Sequence, residues 1–221
     1  MAIIVKKRSA ALESELTLRN SLFPGAENRL WDKSKYKGFT SIPKTLPYIA
    51  LILDDMSEKG KPLGAIYQIL WSYTWDANAF VRLGNLSDFA FVAGFRGERG
   101  ERTLRDRLKS LEQRGFIELK AHGSNPTGFV FIPNPHKVIL ELQAAHEAAD
   151  AAGRAKLPVL REETFNAFLV RALDVKALDV PRIKAELEAA ASAKPDGGPK
   201  ELSPDKPGTP APAGQPKMTK V

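Results

Sequence analysis

The chain has 221 residues, 33 Lys and Arg against 26 Asp and Glu, a net charge of +7, 43% hydrophobic residues, 16 Pro and no Cys. This length fits one ordinary domain with appendages, and the apolar share is enough to bury a core, which excludes wholesale disorder. The lack of Cys excludes a disulfide framework, a thiolate zinc site and a Cys nucleophile.

No run approaches the roughly 20 apolar residues of a membrane helix. Charge interrupts the apolar start after Val5, unlike a secretory signal. A soluble, cytoplasmic protein is expected. The charge is unevenly spread. Residues 1–46 hold 9 basic and 4 acidic residues and residues 96–120 hold 8 and 5, whereas residues 47–95 hold 3 and 5. Such clustering suits attraction to a phosphate backbone, with solubility as the plainer account.

At the N-terminal end, Leu12, Leu16 and Leu18 predict a short helix. Residues 20–40 look irregular and carry Trp31, Tyr36 and Phe39 among Lys33, Lys35 and Lys37. The mixture resembles basic-aromatic nucleic-acid surfaces, but packing of these rings onto the domain is the preferred reading. Lys6, Lys7 and Arg8 are placed to track a nucleic-acid backbone as a flexible segment. Leu46, Ile49, Ala50, Leu53 and Met56 recur at helical spacing up to Gly60,. A second helix follows with Pro62 in its first turn and Leu63, Ile66, Tyr67 and Leu70 as its stripe,. Residues 79–83 are β-prone. A short helix over 88–93 is expected, with Ser87 as its N-cap and Gly94 as its end,.

After a Gly- and Arg-rich turn, a long helix is predicted from about Glu101 to Arg114, with Gly115 as a left-handed cap,. Two strands over 116–121 and 129–132 flank a hairpin tip over 122–128. Asn134-Pro135 opens a helix that Gly153 and Pro158 end. Further helices are expected over 163–173 and from Asp179-Val180-Pro181 to about Ala193. Residues 192–221 hold 7 of the 16 Pro and few large apolar side chains, the composition of a disordered tail,. The expected organisation is a basic arm over 1–40, a domain over 41–134, C-terminal helices over 135–193 and a disordered tail over 194–221.

The stretch from Thr103 to Ile117, TLRDRLKSLEQRGFI, resembles the recognition helix and first wing strand of winged helix-turn-helix DNA-binding domains. That superfamily includes MarR-like and GntR-like regulators and modules of plasmid and phage replication initiators. The resemblance covers residues 80–133, with supporting helices from 43. It implies a mainly α fold with a small β-hairpin wing. One departure is the turn Phe95-Arg96-Gly97-Glu98-Arg99-Gly100, several residues longer than the family's usual one.

Turning each residue by about 100° places Leu104, Leu108 and Leu111 within about 60° of one another, facing the core. Arg102, Arg105, Asp106, Lys109 and Gln113 fall on the opposite half. Residues near a helix N-terminus reach base edges in a major groove, which suits Arg99 and Arg102, while Arg105 and Lys109 are better placed for phosphates and Arg96 and Thr103 are further candidate DNA contacts. The plain alternative is a solvated face with ion pairs such as Glu101 with Arg105. The wing adds Lys120, His122, Ser124, Asn125 and Thr127 as phosphate or minor-groove contacts, with good turn chemistry as the equal alternative.

Gly94-x-x-Gly97-x-x-Gly100 lacks the Lys-Ser/Thr of a nucleotide-binding loop,. Three scattered His do not make a metal site, and the adjacent Asp54 and Asp55 point to different sides of a helix,. No cofactor, metal or catalytic residue is expected. The resemblance implies double-stranded DNA as partner, with transcription regulation as the first role and plasmid or phage replication or partition next. The rival from another class is a non-catalytic adaptor in a mobile-element or defence complex, favoured by Glu98, Glu101, Asp106 and Glu112. A homodimer or protein partner is expected through the C-terminal helices.

Overall fold

The computed structural model describes residues 10–32, 35–75, 78–123 and 125–192. The expected tail, the arm residues Lys6, Lys7 and Arg8, and also Lys33 and Ser124, lie outside the described residues. In chain order the elements are α1 (Ala10–Leu22), a single 3-10 turn (Ala26–Asn28), α2 (Leu46–Asp55), α3 (Gly64–Ser72), β1 (Phe80–Arg82), α4 (Leu86–Val92), α5 (Gly100–Gln113), β2 (Glu118–His122), β3 (Asn125–Phe131), α6 (Pro135–Ala148), α7 (Ala151–Arg154), α8 (Glu162–Asp174) and α9 (Asp179–Ser192). The protein is mainly helical with one small antiparallel sheet, strand order β1-β3-β2. No described helix is long and apolar enough to cross a membrane.

Several boundaries differ from expectation for local reasons. Pro62 precedes α3 rather than entering its first turn. The free N–H groups of Leu63 and Gly64 instead reach Asp54 Oδ1 at 2.9 and 2.7 Å. Asp54 thus caps α3 from the end of α2, satisfying donors that a helix start leaves open. Its neighbour Asp55 turns elsewhere, accepting from Thr164 Oγ1 at 2.8 Å and facing Arg161 at 3.3 Å. The N-cap of α4 is Asn85, not Ser87. Asn85 is extended, and its Oδ1 accepts from the Ser87 and Asp88 N–H groups. The hairpin tip is shorter than expected, since β3 already begins at Asn125 and only residues 123 and 124 separate it from β2. Gly153 lies inside α7. The preceding helix ends at Ala148 because Asp150 caps the new turn, its Oδ1 accepting from Gly153 N–H at 2.7 Å.

One core gathers all of this. Ile49, Ile52 and Leu53 of α2 meet Ile66, Tyr67 and Leu70 of α3, the leucines of α5, and Phe116, Ile117 and Val130. Ile139, Leu140, Phe168, Ala172, Val180 and Ile183 belong to the same cluster. The division expected at 134/135 is therefore no gap in the packing. Much of the stripe on the C-terminal helices is spent on this chain's own core.

Two polar ties hold the long helix. The Arg114 guanidinium donates to the Met56 carbonyl at the end of α2, at 2.7 Å from Nη2, and to Ser110. Glu112 Oε1 accepts from the Leu119 N–H at 2.9 Å, joining α5 to β2. A hydrogen-bonded chain, buried at Thr45 and His136 and half-buried at Asp179, ties the C-terminal helices in. The Thr45 hydroxyl and His136 Nε2 lie 2.7 Å apart, and His136 Nδ1 and Asp179 Oδ2 are also 2.7 Å apart.

The Tyr67 hydroxyl is buried and makes no hydrogen bond of good geometry among the described residues, with the Trp71 indole N–H as a neighbouring donor, and burial pushes its pKa up. An unmade buried hydrogen bond costs about 1–3 kcal/mol, so Tyr67→Phe should raise the urea midpoint, and a clear drop would refute the assignment. Burial alone would raise the Asp179 carboxyl, but hydrogen bonds from Asn134 and His136 and the charge on His136 outweigh it and hold the pKa below its ordinary value. The native state therefore releases this proton more readily than the unfolded chain. Its contribution is complete above the ordinary Asp value, about 3.9, and disappears as pH falls through the lowered one. Wild type should exceed Asp179→Asn in stability at neutral pH, with the difference closing in acid.

Candidate nucleic-acid interface

The face that α5 turns outward is decided by the face it hides. Leu104, Leu108 and Leu111 are fully buried, which forces the intervening polar residues toward water. Arg102, Asp106 and Lys109 are exposed, as are Arg96 and Arg99 in the turn that leads into the helix. Thr103 is half-buried.

Arg105 behaves differently from its neighbours. Its guanidinium donates to Glu101 Oε2 at 3.0 Å, the i,i+4 pair foreseen as the plain alternative. The pair withdraws one positive charge from the outer face. Arg102 and Lys109 remain outside such pairs among the described residues. Arg96 lies over the ring of the exposed Phe91, 5.2 Å from its centroid. A cleft of about 570 Å³ opens at this turn, bounded by Phe91, Phe95, Arg96, Glu101, Arg102 and Arg105.

The glycines of the long turn have backbone roles. Gly94 and Gly97 adopt φ of 83° and 80°, conformations that cost other residues energy,. The Phe95 N–H reaches the Ala90 carbonyl at 2.8 Å, closing the end of α4 in a Schellman pattern,. At Gly100 a Cβ would come within 2.5 Å of the Phe95 carbonyl oxygen. The spacing of the three glycines thus reflects a close chain reversal.

The wing presents a row that the sequence reading missed. Arg82 on β1, Phe129 on β3 and Lys120 on β2 stand directly opposite one another across the sheet. Residues in such register share a face. Val81, Val130 and Leu119 form the neighbouring row on the opposite, core-facing side. The Arg82 guanidinium lies 5.7 Å from the Phe129 centroid and the His122 ring 4.7 Å from it. The alternation of Val81 inward with Arg82 outward was the available signal. Asn125 is occupied within the hairpin: its Nδ2 donates to the Leu83 carbonyl at 3.3 Å, and its Oδ1 accepts from Thr127 N–H and hydroxyl. Thr127 is buried. Neither side chain is turned outward for a ligand.

Among the described residues, no three His, Cys, Asp or Glu side chains gather into a metal-sized group. No family model, curated protein or solved structure matches the chain.

The turn geometry makes a prediction. Gly100→Ala drives a Cβ into a backbone carbonyl and should cost about 1–3 kcal/mol, as overpacking does. Gly84→Ala, which meets nothing within 4 Å, should change stability far less. Equal thermal midpoints for the two variants would contradict the close approach.

Proposed function

We propose that this chain is a winged-helix protein that binds double-stranded DNA, acting first as a transcriptional regulator and without enzymatic activity of its own. The observation that carries the reading is α5. Its leucine face is wholly buried, while Arg102 and Lys109 stand exposed beyond the Arg96 and Arg99 turn. An α-helix of this kind fits a major groove, where Arg reads guanine and Lys meets phosphate. The element order from α3 to β3 and the strand order β1-β3-β2 support the winged-helix reading. In it, Arg82 and Lys120 join the wing's backbone contacts. Replication or partition would use the same duplex contact, because a fold does not select among such roles.

The Glu101–Arg105 pair favours a second reading, a non-catalytic adaptor, since it reduces the charge offered to phosphates. In either reading Val170 and Leu173 on α8 and Leu178 in the link to α9, all largely exposed, are among the apolar side chains open to a second copy or protein partner.

Salt dependence separates the two. For duplex binding, the logarithm of affinity should fall with the logarithm of salt at a slope near −0.9 per phosphate contacted. Lys109→Ala should make that slope shallower by about one. Arg102→Ala should cost about 1–3 kcal/mol on a preferred sequence and less on others. Fluorescence anisotropy with a labelled duplex measures both. Absence of binding to any duplex at low salt would leave the adaptor reading.

A further inference from the structure

The segment before α2 carries rings that do not enter the core. Trp31 and Tyr36 lie nearly parallel, 20° apart in plane with centroids 6.3 Å apart, and Phe39 meets Trp31 edge-on at 6.1 Å. Trp31 is 58% exposed, Tyr36 52% and Phe39 49%. This corrects the expectation that these rings pack the arm onto the domain: they pack on one another and keep much of their surface in water. By contrast, Tyr67, Phe116 and Phe168 are fully buried.

A second set of rings adjoins the first. The Thr40 and Thr74 hydroxyls lie 3.5 Å apart, joining this segment to the end of α3. Thr74 sits between Tyr73, 45% exposed, and Trp75, 80% exposed. Two of the chain's three tryptophans, Trp31 in contact with Phe39 and Trp75 next to the Thr40–Thr74 tie, therefore keep more than half their surface open. Lys35 and Lys37 are exposed beside them. Asp32 lies 3.9 Å from the Lys35 ammonium, whereas Lys37 faces no carboxylate within 4.0 Å among the described residues.

We propose that this aromatic platform binds single-stranded DNA, with unpaired bases stacked on Trp31 and Trp75 and the backbone drawn along Lys35 and Lys37. Flat rings interleaved with lysines suit a strand whose bases are free to stack and whose phosphates run alongside. A protein partner is the poorer fit, because lysine is depleted from protein interfaces. A duplex is also a poor fit, since its base faces are already stacked. The Tyr73 ring reaches Phe89 of α4 at 5.0 Å, so the platform borders the helix pair assigned above to duplex contact. The choice of DNA over RNA rests on that duplex reading, whereas the stacking surface does not.

The test uses the full chain and a short oligothymidylate, followed by tryptophan fluorescence and by anisotropy of a labelled strand. Binding should quench the fluorescence and weaken with salt. Trp31→Ala and Trp75→Ala should each lower affinity about five- to a hundredfold, with unchanged circular dichroism and thermal midpoint. Lys37→Ala should make the salt slope shallower. Arg102→Ala with Lys109→Ala should weaken duplex binding but leave the oligothymidylate affinity near wild type, so the two proposals fail separately. No binding, wild-type affinity in both tryptophan variants, or tighter binding of oligouridylate would each overturn the proposal. So would tryptophan variants that alter only the sedimentation of the protein and not its strand affinity.

Discussion

Three leucines on α5 cannot face water, and much of the molecule follows from that. Leu104, Leu108 and Leu111 are buried in the one core that α2, α3, α4 and the sheet also supply. Their burial fixes the rotation of the helix about its own axis and so decides which side chains remain outside. Polar ties then limit its slide and tilt. Arg114 grips the Met56 carbonyl just past α2, and Glu112 holds Leu119 near the start of β2. A helix held in this way presents Arg102 and Lys109 at a set rotation, which the proposed groove contact would need,.

The stripe on α5 was plain in the sequence because 3.6-residue periodicity is strong over 14 residues,. The Gly115 cap was equally legible, since its φ of 76° favours glycine,. Caps built by side chains from elsewhere were not. Asp54 closes α3 across a loop, and nothing local at Pro62 or Leu63 announces it. Asn85 displaced Ser87 because both are good caps, and only the backbone conformation chooses between them. Within the candidate interface, the outward face of α5 could be read by rotation alone. The Arg82–Phe129–Lys120 row could not, because it depends on strand register across 47 residues of chain.

The roles of charged residues separated in the same way. Arg105 and Arg102 count alike in the window's charge, and the pairing with a Glu four residues earlier that the sequence offered as the plain alternative is the one that forms. Arg114 looked like one more cation in a basic window and proved a structural clamp. Net charge in a window counts both kinds alike. Only geometry distinguishes a guanidinium held by carbonyls from one offered to solvent.

The chain from Thr45 through His136 to Asp179 has a consequence for how this protein can be divided. It joins the residue before α2 to the first turn of α6 and to the start of α9. Phe168 and Ile183 complete the same apolar core from farther along. A fragment ending at the hairpin would strip the partner from a buried hydroxyl and open the core on one flank. The smallest piece able to close its own interior therefore runs from the approach to α2 beyond Ile183, and the last helices are walls of the domain.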